Sequence, residues 1–173
     1  MKLLRVGDKD KEIVAILDPS NKVRDLSSYI RDLNPSSFNE VNLQKLRGLN
    51  LNHLTEIKPT RIGSCFNKPK NYFCVGKNFI GHISELNSKT PKSPMIFSKA
   101  VSCLSGPNDD IIIPKDSTKV DWECEIGVCL KDDVYQIIEN ESEKYIGGYF
   151  LANDVSARDF QLEKSGQFII GKS

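Results

Sequence analysis

The sequence predicts an α+β chain that is mainly β. Most apolar residues fall in short runs bounded by Gly, Pro, Asn and Asp, the pattern of strands joined by turns. Helical spacing is confined to a few short stretches. At 173 residues, 39% hydrophobic and 27% charged, the chain can bury a core. Lys and Arg number 24 against 23 Asp and Glu, which excludes a disordered charged tail and a strongly basic nucleic-acid module. No apolar run approaches the length of a bilayer-crossing helix, and Met1-Lys-Leu-Leu-Arg-Val-Gly-Asp8 turns polar too soon for a signal peptide. Five cysteines, an odd number with no Cys-x-x-Cys pair, suit reduced thiols and a cytoplasmic location.

The elements follow in order. Residues 1–60 read as a small α/β N-terminal domain. It opens with strands at Leu3–Val6 and Glu12–Asp18, followed by the turn-rich Asp18-Pro-Ser-Asn21. Short helices are expected over Leu26–Leu33 and Val41–Leu49, the latter with Leu43, Leu46 and Leu49 at helical spacing. Asn50–Pro59 reads as a join. In residues 61–173, strands are expected at Tyr72–Val75, Met95–Ser98, Asp110–Ile113, Trp122–Leu130 and Tyr145–Ala152, with helices at Phe79–Leu86 and Ser156–Glu163. Cys124 and Cys129 point to opposite faces of one strand and read as small core hydrophobes.

The chemistry concentrates in Val120-Asp-Trp-Glu-Cys-Glu-Ile-Gly-Val128. Glu123 and Glu125 stand two apart and share one face of a strand, with Cys124, Ile126 and Val128 on the other. Adjacent carboxylates repel, so they call for a cation or a shared proton. A solvated outer face is the other reading of Glu-x-Glu. A third acid, Asp154, ends the apolar run Tyr145–Ala152 just before a helix-forming stretch. It could cap that helix, or it could complete an all-oxygen site suited to Mg²⁺, Mn²⁺ or Ca²⁺. Arg158 and Gln161 then lie three apart on one helical face. Beside a divalent cation they would receive a carboxylate or keto acid. The competing reading is a surface arginine paired with Asp154.

His82 and Glu85 lie one turn apart in Phe79–Leu86, the spacing of a carboxylate that orients a general-base imidazole. His53, in the join, reads as a surface residue. Ser84 has no second histidine to activate it, so a Ser-His-Asp enzyme is not expected. Gly166-Gln-Phe-Ile-Ile-Gly-Lys-Ser173 matches a phosphate loop letter for letter. The loop interior is bulky, a polar segment precedes it and no helix follows, so nucleotide binding is not expected.

In order, Cys74-Val-Gly-Lys-Asn-Phe-Ile-Gly-His-Ile-Ser-Glu85, Pro94-Met-Ile-Phe-Ser-Lys99, Ser105–Pro114, Asp121–Val128, Gly148–Gln161 and Gly171-Lys-Ser173 together resemble the fumarylacetoacetate hydrolase family. The N-terminal part is similar to that of bacterial members named ureidoglycolate lyase or diketo sugar acid hydrolase. The resemblance implies a mixed β-sandwich roll, here incomplete after Ser173, and a divalent metal, usually Mg²⁺ or Mn²⁺, on Glu123, Glu125 and Asp154. It assigns a catalytic dyad on a lid segment to His82 and Glu85. Arg158 and Gln161 match its substrate-binding pair. Lys172 matches a lysine that holds the substrate or a developing oxyanion, and Lys99 matches a recurrent lysine grouped with the substrate-binding residues.

The activity so implied is metal-dependent hydrolysis of a C–C bond in a small diketo or 2-oxo acid, in a homodimer that engages neither nucleic acid nor membrane. Lyase, decarboxylase and isomerase activities on the same metal site are the alternatives. The family pattern also runs past Ser173 to a Thr-Gly-Thr-Pro motif, so an inactive truncated fragment needing a complementing chain is a further expectation.

Overall fold

In the computed structural model, the alternating apolar residues of the N-terminal third form an antiparallel meander. The structure describes residues 1–85 and 87–173, and of residue 82 the backbone alone. The chain divides into two compact units. One comprises Met1–Pro69, Leu104–Ile111 and Cys124–Ala152; the other comprises Lys70–Cys103, Ile112–Glu123 and Asn153–Ser173.

In the first unit β1 (Lys2–Val6), β2 (Ile13–Leu17), β3 (Val23–Asp25) and β4 (Glu56–Ile57) make a sheet in chain order. Its register pairs Leu4 with Ala15 and Ile16 with Arg24. Val14 and Ile16 face one way, as strand parity requires, into a core with Leu26, Ile30, Leu33, Phe38 and Leu54. Helix α1 (Glu40–Arg47) is capped by Asn39, whose side chain accepts the Asn42 N–H, and it adds Leu43 and Leu46 one turn apart. Phe38 and Phe66 meet edge to face at 5.3 Å.

The helix expected over Leu26–Leu33 does not form. The Leu26 N–H instead bonds to Val14 C=O, and Asp25 takes the Ser27 N–H. Asp32 and Asn34 take the N–H groups of Leu33 and Ser36. These short polar side chains offer the backbone partners that a helix would otherwise supply. The short strands β3 and β4, one of them inside the expected join, were too brief to show a period.

Buried charges tie the sheet to the segments around it. Arg5 donates to Asp32 Oδ1 at 2.6 Å and to Glu12 Oε2 at 3.2 Å, and Arg61 bridges Glu12 and Asp109. Strand β8 (Cys124–Leu130) pairs with β9 (Ile146–Asn153). The Phe150 ring lies over Gly127 so closely that an added Cβ would sit 2.0 Å from it. The expectation that Cys124 is a small core hydrophobe is overturned, since it is exposed along with Ile126 and Val128 on the same face. The aromatic ring takes the inner side, over glycine, and leaves Ile126, Val128, Leu130, Tyr149 and Leu151 outward.

In the second unit β5 (Phe73–Gly76) pairs antiparallel with β6 (Met95–Ser98), and helix α2 (Ile80–Glu85) lies between them in sequence. Strand β7 (Val120–Asp121) pairs with β10 (Ser156–Ala157), which leads directly into α3 (Arg158–Leu162). The helix expected from Ser156 thus begins two residues later. No strand forms at Asp110–Ile113, where the described residues offer no ladder partner and Ile112 is 90% exposed. Helix α4 (Phe168–Lys172) packs on α3 and β6. Among the described residues, no helix is long and apolar enough to cross a membrane.

Candidate functional site

Four segments of the second unit converge on one charge cluster. Lys99 follows β6, where its N–H is fixed by Tyr72 C=O at 3.0 Å. Glu123 and Asp154 are placed side by side by the backbone, with the Asp154 N–H donating to Glu123 C=O at 2.9 Å. The fully buried Ser156 hydroxyl donates to Asp154 C=O. Helix α3 supplies Arg158 and Gln161, and α4 supplies Lys172.

Helix α4 reaches its position because Gly171 has no side chain. A Cβ there would lie 2.5 Å from both the Ala157 carbonyl oxygen and the Gln161 amide nitrogen. One turn earlier on α4, Phe168 stacks edge to face on Phe97 of β6 at 5.5 Å. The Lys172 ammonium lies 5.5 Å from the same ring. Ring, glycine and helix together aim the lysine inward, and Lys172 is only 3% exposed.

The charges alternate in a chain. Lys99 Nζ donates to Asp154 Oδ1 at 2.5 Å and to Val155 C=O at 3.3 Å. Lys172 Nζ bridges Asp154 Oδ2 at 2.9 Å and Glu123 Oε2 at 2.7 Å. Arg158 reaches Glu123 Oε1 at 2.7 Å and, through Nη2, Asp121 Oδ2 at 2.8 Å. Its Nη1 also donates to Gln161 Oε1 at 3.1 Å. Both oxygens of Glu123 and of Asp154 therefore face a cationic nitrogen.

The Arg158 guanidinium holds the Asp121 carboxyl below its ordinary range. Burial works against the charge on Arg158, but Asp121 and Glu123 outweigh it and keep its pKa above the usual value. Burial, with the Asp154 charge nearby, pushes the Cys74 thiol up to about 11, so Cys74 is no nucleophile near neutral pH.

The structure brings together Lys99, Glu123, Asp154, Arg158, Gln161 and Lys172 from among the expected residues. Arg158 pairs with Asp121 and Glu123, not with Asp154 four residues before it. Asp154 does not cap α3, whose cap residue is Ala157. Glu125 belongs to the first unit, half-buried on β8. His82 and Glu85 both lie on α2, but the His82 side chain is outside the described residues. Among the described residues, no group of three or more His, Cys, Asp and Glu is arranged to hold a metal ion. The phosphate-loop match has a structural use in each residue of its last tripeptide. Gly171 permits close packing, Lys172 is ion-paired, and the Ser173 hydroxyl accepts the Ala100 N–H at 2.8 Å. Sequence reasoning gave no role to Asp121, although it shares strand parity with Glu123. Nor did it find the pair Phe97 and Phe168, which no local pattern announces.

Glu123 and Asp154 fit a hard divalent cation in their chemistry. They are oxygen donors only, and their carboxylates stand close enough for one ammonium to bridge them at 2.7 and 2.9 Å.

Comparison with known proteins places most of the second unit's sequence within one family model. The family model described as fumarylacetoacetate (FAA) hydrolase C-terminal matches residues 71–173. A protein of Burkholderia ambifaria with a provisional hydrolase name is 38% identical over 173 residues, covering 99% of this chain and 61% of its own length. A similarly named protein of Burkholderia multivorans is also 38% identical. The chain thus spans about three fifths of the length of the curated relatives it matches. Among solved structures, the fumarylacetoacetate hydrolase of Exiguobacterium antarcticum aligns over the whole chain and 62% of its own, at a TM-score of 0.76 and 26% identity. A Mycobacterium abscessus protein assigned as a 2-hydroxyhepta-2,4-diene-1,7-dioate isomerase aligns over 99% of the chain and 59% of its own, at 0.73 and 27%.

Proposed function

Because the chain belongs to the fumarylacetoacetate hydrolase family, we propose that its charge cluster is the binding centre of a metal-dependent enzyme acting on a small diketo or 2-oxo acid. The observation that carries this reading is the pair Glu123 and Asp154, four oxygens all turned toward positive charge, with an arginine fork beside them. Glu123 and Asp154 would hold the cation. A divalent cation there supplies Lewis acidity toward a chelated carbonyl.

The chain's own residues do the rest. Arg158, kept charged by Asp121 and fixed by Gln161, would offer its remaining Nη2 N–H to a substrate carboxylate. Lys172, aimed inward by Gly171 and Phe97, holds an oxyanion as negative charge develops. Lys99 keeps the Asp154 carboxylate oriented. On the family pattern the base that activates water would be His82, three residues before Glu85 in sequence on α2.

C–C hydrolysis is the leading reaction. Isomerisation is a second reading, favoured by the name of the Mycobacterium abscessus neighbour at 27% identity. The test is incubation of the protein with acylpyruvates and Mg²⁺ or Mn²⁺, with products separated by mass. Cleavage to pyruvate and a carboxylic acid, abolished by Glu123→Ala, supports the hydrolase. A product of unchanged mass supports the isomerase. Turnover and metal binding that both survive Glu123→Ala would sink the assignment of the site.

A further inference from the structure

Among the described residues, Lys172 is the one cation that touches both candidate ligand carboxylates. Its ammonium lies 2.7 Å from Glu123 Oε2 and 2.9 Å from Asp154 Oδ2, and its side chain is 3% exposed. Lys99 also pairs with Asp154, but through the other oxygen, and its second partner is the Val155 carbonyl. Arg158 holds the remaining oxygen of Glu123 from the side of Asp121. Lys99 and Arg158 are therefore lateral supports, each with a partner of its own outside the pair. Lys172 alone stands between the two carboxylates.

Two carboxylates held this close require positive charge between them. A divalent cation and the Lys172 ammonium compete for that one place, because both would face the same two oxygens at short range. The geometry points to Lys172 as an intramolecular counter-ion that a divalent cation must displace, so that metal binding frees its ammonium for an anionic substrate. This deepens the metal-dependent reading of the site and rests on it. It makes Lys172 a switch with two partners: the carboxylate pair before the metal arrives, and a substrate oxyanion afterwards. Two residues, one on α4 and one on β6, frame the ammonium. Gly171 sets the close approach of the backbone, and the Phe97 ring offers the ammonium a second favourable surface at 5.5 Å.

The test measures Mn²⁺ affinity directly, by electron paramagnetic resonance of free Mn²⁺, in the full chain and in Lys172→Met, Lys172→Arg, Lys99→Met and Asp154→Asn. Displacement predicts that Lys172→Met binds Mn²⁺ at least tenfold tighter than the parent. It also predicts that Lys172→Arg, which keeps the charge, stays near the parent, and that Lys99→Met gains less than Lys172→Met. An unchanged or weakened affinity in Lys172→Met overturns the inference, as does an equal gain in Lys99→Met. A second measurement needs no variant. Trace acetylation of the unmodified protein with acetic anhydride, read by mass spectrometry, should label Lys172 several-fold faster when Mn²⁺ is present. Labelling of Lys172 that is unchanged or slower with Mn²⁺ overturns it. Loss of the switch and loss of the metal site give different results. Mn²⁺ binding lost in Asp154→Asn but indifferent to Lys172 removes the switch and leaves the metal site. No Mn²⁺ binding by the parent or any variant removes both.

Discussion

Lys99 and Asp154, 55 residues apart in sequence, meet through a 2.5 Å contact between two nearly buried side chains. The contact leaves Asp154 with a cation on each oxygen, so removing one still leaves the carboxylate paired. Lys99→Met should therefore cost about 1–3 kcal/mol, less than the full loss of an isolated buried pair. Urea unfolding of Lys99→Met, Asp154→Asn and the double variant checks it. Additive single effects would show that the two side chains are not coupled.

Gly171 is predicted to be irreplaceable for a steric reason. A Cβ would press on backbone atoms of Ala157 and Gln161 at 2.5 Å, and backbone yields poorly. Gly171→Ala should destabilise by about 1–3 kcal/mol. Gly48→Ala, where the nearest atom is a carbonyl oxygen at 3.6 Å, serves as the tolerated control in the same melting experiment.

The first unit should weaken in acid. Arg61, with the Gly106 N–H, lowers the Asp109 carboxyl from 3.8 to about 2. A carboxyl with a depressed folded pKa contributes its full stabilisation above its ordinary value, and loses it as pH falls through the folded one. Thermal melting followed from pH 5 downward should thus show a decline between about pH 4 and 2. Asp109→Asn should flatten that decline; an unaltered profile would refute the role of this pair.

Leu43 is 1% exposed in the core between α1 and the meander. Leu43→Ala should cost about 2–5 kcal/mol in urea unfolding. Val41, on the same helix but 77% exposed, should tolerate alanine with little change.

The outward residues of β8 and β9 should bind an apolar dye. Ile126, Val128, Leu130, Tyr149 and Leu151 are between 48% and 83% exposed, and a contiguous patch of that kind attracts apolar ligands. An Ile126→Lys, Leu151→Lys variant should lose most of the anilinonaphthalene sulfonate fluorescence of the parent. Equal fluorescence would place the dye elsewhere.

Much of this was legible from local signals. Leu43 and Leu46 marked α1, and the apolar runs marked β1, β2, β6, β8 and β9 within one or two residues. The acids at 123 and 154, singled out in the sequence, stand side by side. What failed was set by partners distant in sequence. Leu26–Leu33 has helical spacing, but Val14 claims the Leu26 amide. Asp110–Ile113 reads as a strand, but among the described residues nothing pairs with it. The parity of β8 was read correctly, yet which face lies inward depended on Phe150 settling over Gly127. In the site, strand parity placed Asp121 beside Glu123, while the bridging position of Lys172 depends on Phe97 and Gly171, neither of which carries charge.

The cluster also sets a timetable for folding. Its ion pairs join residues separated by 55, 49 and 37 positions, and loops of that length close late and at an entropic cost. A refolding chain should regain its helical and strand signals before Lys172 is withdrawn from solvent. Protection of that single amine therefore reports when the topology of the second unit has been completed.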